Sequence, residues 1–249
     1  ENQYYAGGDL FPVAVTPAPL AKNLKDEYPE ITHATRYKTS YSTIEKGNQT
    51  FTENTAYVDA DFFEIFTVDF IHGDREDALN DLNSVVLTKE MADKYFKGNP
   101  IGKTLRINKE SDFKVTGVIN KFPDNSHINF DLLLPGEQLK NMGFDLEQWG
   151  NNWLYTYVKL HDNHDIVNIN EKIINIIKDH NEDSVTDIYL QPVKDIHLYS
   201  SGKYTADVGG HGDIRYVNIF IVIAIAVLLI ACINFMNLTT AKSNNRARE

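Results

Sequence analysis

Hydrophobic positions in this chain follow two regimes: short periodic runs up to about residue 200, and one long aperiodic run near the end. Leu20, Leu24 and Tyr28 recur every four residues behind Thr16-Pro17, a capping hydroxyl followed by proline, and Pro29 stops the helix this predicts. Ile31 to Tyr37 and Phe51 to Val58 alternate and read as strands. The stretch Asp61-Phe62-Phe63-Glu64-Ile65-Phe66 reads as a short aromatic-rich helical turn whose rings pack in a core. Residues 1–15, with Gly7, Gly8 and Pro12, read as loop. Phe70 to Leu82, with Gly73-Asp74 and several acidic residues, reads as a crossing into a second lobe.

The clearest pattern lies in residues 84–119. Ser84 to Leu87 is a strand, Thr88 caps a helix running to about Phe96, and Gly98 with Pro100 ends it. Thr104 to Ile107, a turn at Lys109-Glu110-Ser111, and Phe113 to Ile119 read together as a hairpin. Loop chemistry at Pro123-Asp124-Asn125-Ser126 precedes a further strand ending at Leu134. Pro135 to Asn152 is polar with scattered apolar residues and reads as helical. Trp153 to Leu160 alternates as a strand, and Asp165 caps a helix to about His180 with Ile166, Ile169, Ile173 and Ile177 on one face. Asp187 to Val193 reads as a last strand. Strands and helices mixed in this order, with a hairpin-rich middle, predict an α+β domain of two lobes.

The aperiodic run changes the picture. Ile219 to Ile233 is 15 apolar residues without a break, and Val217 to Leu238 extends it to 22 interrupted only by Asn218, Asn234 and Asn237. At about 1.5 Å per residue, that is roughly 33 Å of helix, enough to cross a hydrocarbon core about 30 Å thick. Fourteen of the 22 are Ile, Val, Leu or Phe, contributing roughly −4 to −8 kcal/mol to insertion. A core helix normally shows a polar face, whereas this run is apolar all round.

Charge then gives the run a direction. The chain has 249 residues and a net charge of −11, with a mean hydropathy of −0.36 that conceals the asymmetry. Lys242, Arg246, Arg248 and Glu249 give +2 beyond the run, and residues 1–241 carry −13, from 21 basic and 34 acidic groups. The cationic flank predicts a cytoplasmic C-terminal end, and the acidic domain is then extracytoplasmic, with residues 1–215 periplasmic. An acidic chain without a Lys/Arg stripe argues against nucleic acid as a partner. The single cysteine, Cys232, lies inside the run, so no intrachain disulfide forms. Glu1 is not an initiator methionine, which reads as a fragment or processed product.

Candidate chemistry is sparse. The pairs Gly7-Gly8 and Gly209-Gly210 lack the spacing of a phosphate-cradling loop, so ATP, if used, binds another chain or domain. His161 and His164 with Asp162 and Asp165 have metal-like spacing, but a strand-to-helix turn is where solvated polar residues are expected. His211, near Asp207 and Asp213, falls in a linker. Ser126-His127 is the only Ser-His pair and no Gly-x-Ser-x-Gly accompanies it. Asn48-Gln49-Thr50 is a glycosylation sequon in an expected loop. Asn234 and Asn237 share a helix face and could bond to a neighbouring span or meet lipid headgroups. No catalytic, cofactor-binding or metal residue is singled out.

Several motifs in fixed order carry a resemblance. They are Tyr28-Pro29-Glu30-Ile31 with Ala34-Thr35-Arg36, Val58-Asp59-Ala60-Asp61 leading into Phe62 to Phe66, and Ser84-Val85-Val86-Leu87-Thr88. Ala92 to Phe96, Pro100-Ile101-Gly102-Lys103-Thr104-Leu105, Val115-Thr116-Gly117-Val118-Ile119 and the stretch from Tyr216 to Glu249 complete the set. The chain thereby resembles the extracytoplasmic core domain and following membrane helix of MacB-like ABC transporter permeases, related to FtsX-type permeases, in an Asn- and Lys-rich style similar to Bacteroidetes members. The resemblance implies a bilobed α+β domain: a porter-like βαβ lobe from residues 1–75 and 146–212, with an inserted mixed α/β second lobe at 76–145. A transmembrane helix at 213–241 and the start of a cytoplasmic segment at 242–249 follow.

It also implies a non-catalytic permease portion in the inner membrane, which transmits motion from a separate ABC ATPase subunit to export or extract a substrate. No family catalytic residue exists to carry over, and no cofactor is implied. Implied partners are the ATPase, a second permease copy, membrane lipid, and a periplasmic or outer-membrane protein. The family's helix before this domain and two after it lie outside this sequence. The alternative is an extracytoplasmic ligand-sensing domain of a membrane signalling protein, which shares the layout of an α+β domain before a membrane helix.

Overall fold

The structure is a computed structural model that describes residues 2–6, 9–109, 111–123, 126–162, 165–200, 202–204, 206 and 212–246. They fall into two units, Glu1–Gln191 with Tyr204–Gly210, and Pro192–Lys203 with His211–Glu249.

The first unit opens on β1 (Asn2–Ala6) and β2 (Asp9–Val13), paired antiparallel where the sequence reads as loop. Gly7 and Gly8 lie outside the described residues, but Gly-Gly between two short runs has hairpin composition. Pro12 disguises β2, which tolerates it as an edge strand. Thr16-Pro17 is a further surprise. It forms β3 (Thr16–Pro17) rather than a helix cap, and the Thr16 hydroxyl donates to the Leu154 carbonyl at 3.1 Å and lies 2.7 Å from Thr156 Oγ1. Helix α1 (Leu20–Glu27) begins after Pro19 and buries Leu20, Ala21 and Leu24. It gives way to extended backbone at Tyr28, before Pro29, as expected.

Two long strands follow, β4 (Ile31–Lys46) and β5 (Gln49–Val58), joined at Gly47-Asn48. Gly47 has φ +61°, as the first position of a two-residue II′ hairpin turn demands. That turn sets the register from Lys46↔Gln49 to Tyr37↔Val58 and puts the sequon at the hairpin tip. Next come α2 (Phe62–Ile65), β6 (Phe70–Gly73) and β7 (Ser84–Thr88). Thr88 caps α3 (Lys89–Tyr95) by accepting from the Met91 amide. The expected hairpin is β8 (Thr104–Ile107) with β9 (Ser111–Ile119).

Strand β10 (Leu132–Pro135) is fully buried, and the polar stretch after it yields only the single turn α4 (Gln138–Asn141). After β11 (Asn152–Leu160), the expected Asp165-capped helix is two pieces, α5 (Ile166–Ile173) and α6 (Ile176–His180). The interruption has a cause. The Ile174 carbonyl accepts from Ile188 N–H of β12 (Asp187–Ile188), which takes that oxygen from the helix ladder. The expected strand to Val193 ends at Ile188.

The strands form two sheets. A small one has the order β12-β1-β2, and the large one runs β3-β11-β4-β5-β10-β7-β9-β6. Pairing is parallel for β5–β10 and β7–β9, and antiparallel elsewhere in the large sheet. Strand β8 pairs both β9 and β4, so β4-β5-β10-β7-β9-β8 closes into a ring of six strands. Leu87, Ile107, Val115 and Leu132 are buried in the apolar cluster these strands share, each contributing roughly 1.5–3 kcal/mol by leaving water. A second cluster joins α1 and the start of β4 to Ile169, Ile173, Ile176, Ile177 and Ile188. At the β6–β9 contact the strands approach too closely for side chains: a Cβ on Gly73 (φ +89°) would stand 2.2 Å from the Thr116 carbonyl oxygen.

The second unit holds α7 (Val193–Tyr199) and α8 (Ile214–Arg246). The protein is thus an α+β, sheet-rich domain followed by a long apolar C-terminal helix.

Candidate functional site

Helix α8 is the first functional feature. Its stretch Ile214–Thr240 is 27 residues long and none of it is buried in the structure. Phe220, Leu228, Phe235 and Leu238 are each more than 60% exposed. At about 1.5 Å per residue, the stretch spans roughly 40 Å, more than a hydrocarbon core. Thr239 Oγ1 donates to the Phe235 and Met236 carbonyls, a bond back to its own helix that suits an apolar medium. At the start of the helix, Asp213 accepts from the Arg215 guanidinium at 2.9 Å and from the Arg215 amide at 2.8 Å.

The second feature is an ion-pair node in the sheet domain. Register places Arg36 of β4 beside Asp59, the residue after β5. Arg36 Nε lies 3.0 and 3.1 Å from the two Asp59 oxygens, its Nη2 2.6 Å from Asp59 Oδ1, and the Arg36 amide 2.8 Å from Asp59 Oδ2. Such forked pairing fixes geometry as well as charge. Glu137, at the start of α4, closes the node from the other side: Arg36 Nη2 donates to it at 2.7 Å, and Lys140 Nζ at 2.8 Å. Burial alone would weaken the Arg36 cation, but Asp59 and Glu137 outweigh it and hold the guanidinium more firmly protonated. Glu137 mirrors this. Burial pushes its carboxyl up, and Lys140 and Arg36 bring it below the ordinary value.

The backbone leaves room for the node. Gly136 N–H donates to the Val58 carbonyl at 2.7 Å where β5 and β10 end side by side, and a Cβ on Gly136 would come within 2.8 Å of Asp59 Oδ1. Asp61 extends the network by accepting from Lys25 Nζ at 2.5 Å and from the Ala34 amide at 3.0 Å. A cavity of about 450 Å³ opens beside it, edged by Lys22, Glu147 and Trp149. Each carboxylate of the node is engaged by a cation, so the arrangement presents no free base or nucleophile; it ties strand ends together.

The residues with candidate chemistry are scattered. His127 Nε2 lies 3.1 Å from the Tyr157 hydroxyl, and Ser126 Oγ accepts from the Ile128 amide, so the two do not form a dyad. Among the described residues, no three His, Cys, Asp or Glu are grouped to hold a metal ion. His164, Asp207, Gly209, Gly210 and His211 lie outside the described residues. Asn234 and Asn237 both lie on α8. No single motif announces the Arg36–Asp59–Glu137 node, yet part of its signal is in the sequence: a two-residue turn at Gly47-Asn48 makes paired residue numbers sum to a constant, which sets Arg36 opposite Asp59.

Comparison with known proteins agrees with this architecture. No curated protein sequence matches the chain. Among solved structures, a domain assigned to a permease protein from Porphyromonas gingivalis superposes with a TM-score of 0.60 at 24% identity, over 76% of this chain and 84% of that one. The periplasmic region of MacB from Actinobacillus actinomycetemcomitans gives 0.57 at 19% identity, over 74% and 82%. The extracellular domain of the ABC-type transporter YknZ from Gram-positive bacteria gives 0.54 at 15%, over 76% and 98%. These likenesses speak to the fold. The family model for the MacB-like periplasmic core domain matches residues 3–176, more than half of the 249, so the chain belongs to the MacB-like periplasmic core domain family and carries, beyond that domain, a helix long and apolar enough to anchor it in a membrane.

Proposed function

We propose that this chain is the periplasmic and membrane-entering portion of an ABC-transporter permease subunit, and that its domain passes ATP-driven motion to a substrate crossing the cell envelope. The observation that carries the reading is the succession, in one chain, of a MacB-like core over residues 3–176 and the apolar stretch Ile214–Thr240. ATP is hydrolysed by a separate ATPase subunit, the permease works as a pair of copies, and a further periplasmic or outer-membrane protein receives the motion. In this reading Lys242, Arg246 and Arg248 face the cytoplasm, and the sheet domain lies on the periplasmic side of the inner membrane.

The two lobes expected from the resemblance are the moving parts in this reading. Their support is the division of the cores. One apolar cluster is drawn entirely from residues 20–34 and 166–190 with Trp149, Val158 and Leu160, whereas residues 76–145 supply most of another, which Ala18, Ile44, Tyr57, Leu146 and Leu154 join from outside that segment. The Arg36–Glu137 pair bridges the segments.

The test uses the full-length protein with its co-purifying ATPase in lipid vesicles. Replacing residues 215–219 by glycine interrupts the helix where it leaves the domain. The expected result is persistent ATP hydrolysis with transport lost; transport that survives with hydrolysis unchanged overturns the transmission role.

A further inference from the structure

A second cavity, of about 370 Å³, lies on the sheet domain and shares no lining residue with the cavity at the Arg36 node. Its size falls in the range of about 300–1,000 Å³ common for small-molecule sites. Its floor follows from register. Thr39, Ser40 and Tyr41 of β4 line it, Asn54 of β5 stands opposite Tyr41, and Tyr155 of β11 joins them from the other neighbouring strand. His127 and Asn129, from the segment before β10, form a wall.

The lining is distinctive in what charge it holds. Among the described residues, no Asp, Glu, Lys or Arg lines this cavity, although 24% of the chain is of those four types. A phosphate, carboxylate or ammonium ligand would therefore lose hydration without meeting a counter-charge. What the cavity offers is hydroxyl and amide groups, which both donate and accept, next to aromatic rings. Asn54 is fixed in place: its Nδ2 donates to the Asn129 carbonyl at 2.9 Å, and its amide to Asp131 Oδ2 at 2.9 Å. The Asn54 side-chain oxygen then remains as an acceptor at a set position.

Tyr41 is the unusual member. It is 76% exposed, more than any other large apolar or aromatic side chain described. One exposed tyrosine on a strand is unremarkable by itself, since aromatics favour strands. Beside an uncharged cavity it is a free ring face at the mouth. An aromatic face next to neutral donor-acceptor groups fits a molecule with an apolar C–H face and a rim of hydroxyls. We propose that the Tyr41–Asn54–Asn129 cavity binds an uncharged saccharide, with the Tyr41 ring against a sugar face and the amides to its hydroxyls. This goes beyond the permease reading and does not depend on it.

The test is ligand-observed NMR and calorimetry on the full chain in a detergent without a sugar headgroup, with chitotetraose and maltotetraose as probes and tetraglycine as the uncharged non-sugar control. Saturable binding of at least one saccharide, with Kd in the range of about 0.1–5 mM, is expected. Tyr41→Ala should weaken it about two- to tenfold, Asn129→Ala by a similar factor, and Tyr41→Phe, which keeps the ring, much less. Tyr41 and Asn129 are both exposed, so thermal unfolding should not move. The proposal is overturned if neither saccharide binds saturably up to about 20 mM, if binding survives Tyr41→Ala and Asn129→Ala unchanged, or if tetraglycine binds as well as the saccharides.

Discussion

Leu87 and Leu228 are the same residue type with opposite surroundings. Leu87 on β7 has no exposed surface, while Leu228 on α8 is 64% exposed. In the sheet domain, most large apolar side chains are turned by the pleat and by helix faces into interiors, with exceptions such as Leu10, Tyr41 and Val167, and the polar remainder carries nearly all the charge. On α8 they cover every side, and the charged groups stand only at its ends. The domain is thus stabilised by removing apolar surface from water into its own interior. The helix, with no interior to fill, is suited to a medium already apolar.

Exchanging one charge between the regions gives the largest effects and separates the two modes. Leu87→Arg places an unpaired cation in a closed core, and the domain is expected to lose more than about 4 kcal/mol and unfold. Both tryptophans, Trp149 and Trp153, lie in the sheet domain, so their emission should shift to the red while the protein still sediments with membranes. Leu228→Arg should do the reverse. It adds about 2.5–3.5 kcal/mol to insertion, lowering the membrane-integrated fraction with the emission unmoved. If either substitution changes both readouts together, the regions are not independent.

Smaller effects follow at the node. Arg36 is 12% exposed at its side chain and Asp59 25%, so Arg36→Ala leaves a partly buried carboxylate without its fork. The loss expected is about 2–3 kcal/mol, reduced from the fully buried case because water reaches Asp59 and Glu137. Urea unfolding followed by tryptophan emission measures it. Arg36→Lys should recover less than half, since an ammonium cannot contact both Asp59 oxygens and Glu137 at once. A midpoint unchanged by Arg36→Ala would show that the strand ends hold without the node.

The contrast between domain and helix is legible in the sequence because it rests on periodicity, which local residues determine. The helix needs only composition. The β8–β9 hairpin, the Thr88 cap and the Asp165 cap are likewise set by neighbouring residues. What escapes is whatever a distant partner decides. Thr16-Pro17 has the chemistry of a helix start, but β11 claims the Thr16 hydroxyl and makes a strand of it. Ile166 to His180 has continuous helical spacing, but the Ile188 amide takes a carbonyl from its middle. The node lies between these cases. Arg36 and Asp59 belong to recognisable motifs, and their pairing follows from one turn, but Glu137 reaches them through a parallel β5–β10 contact that no local signal encodes.

The smallest effect is one of pH, and it sharpens the comparison because only one region titrates. Glu137 has its carboxyl held below the ordinary value: burial acts to raise it, and Lys140 and Arg36 outweigh that. The unfolded chain therefore takes up the proton at higher pH than the folded one. The stabilisation is fully present above the ordinary carboxylate range, about pH 4–5, and fades as pH falls through the folded value. Glu137 is 49% exposed, so screening keeps the contribution below about 1 kcal/mol. Glu137→Gln should flatten the stability curve between about pH 5 and pH 3 and leave neutral stability changed only by the lost ion pair. From Val217 to Thr240 the helix has no carboxylate, histidine or basic side chain, so the membrane-integrated fraction should stay constant over the same range. An acid limb equally steep in the Glu137→Gln variant would move the titration to other carboxylates, and a membrane fraction that follows pH would tie the helix to the domain's charge.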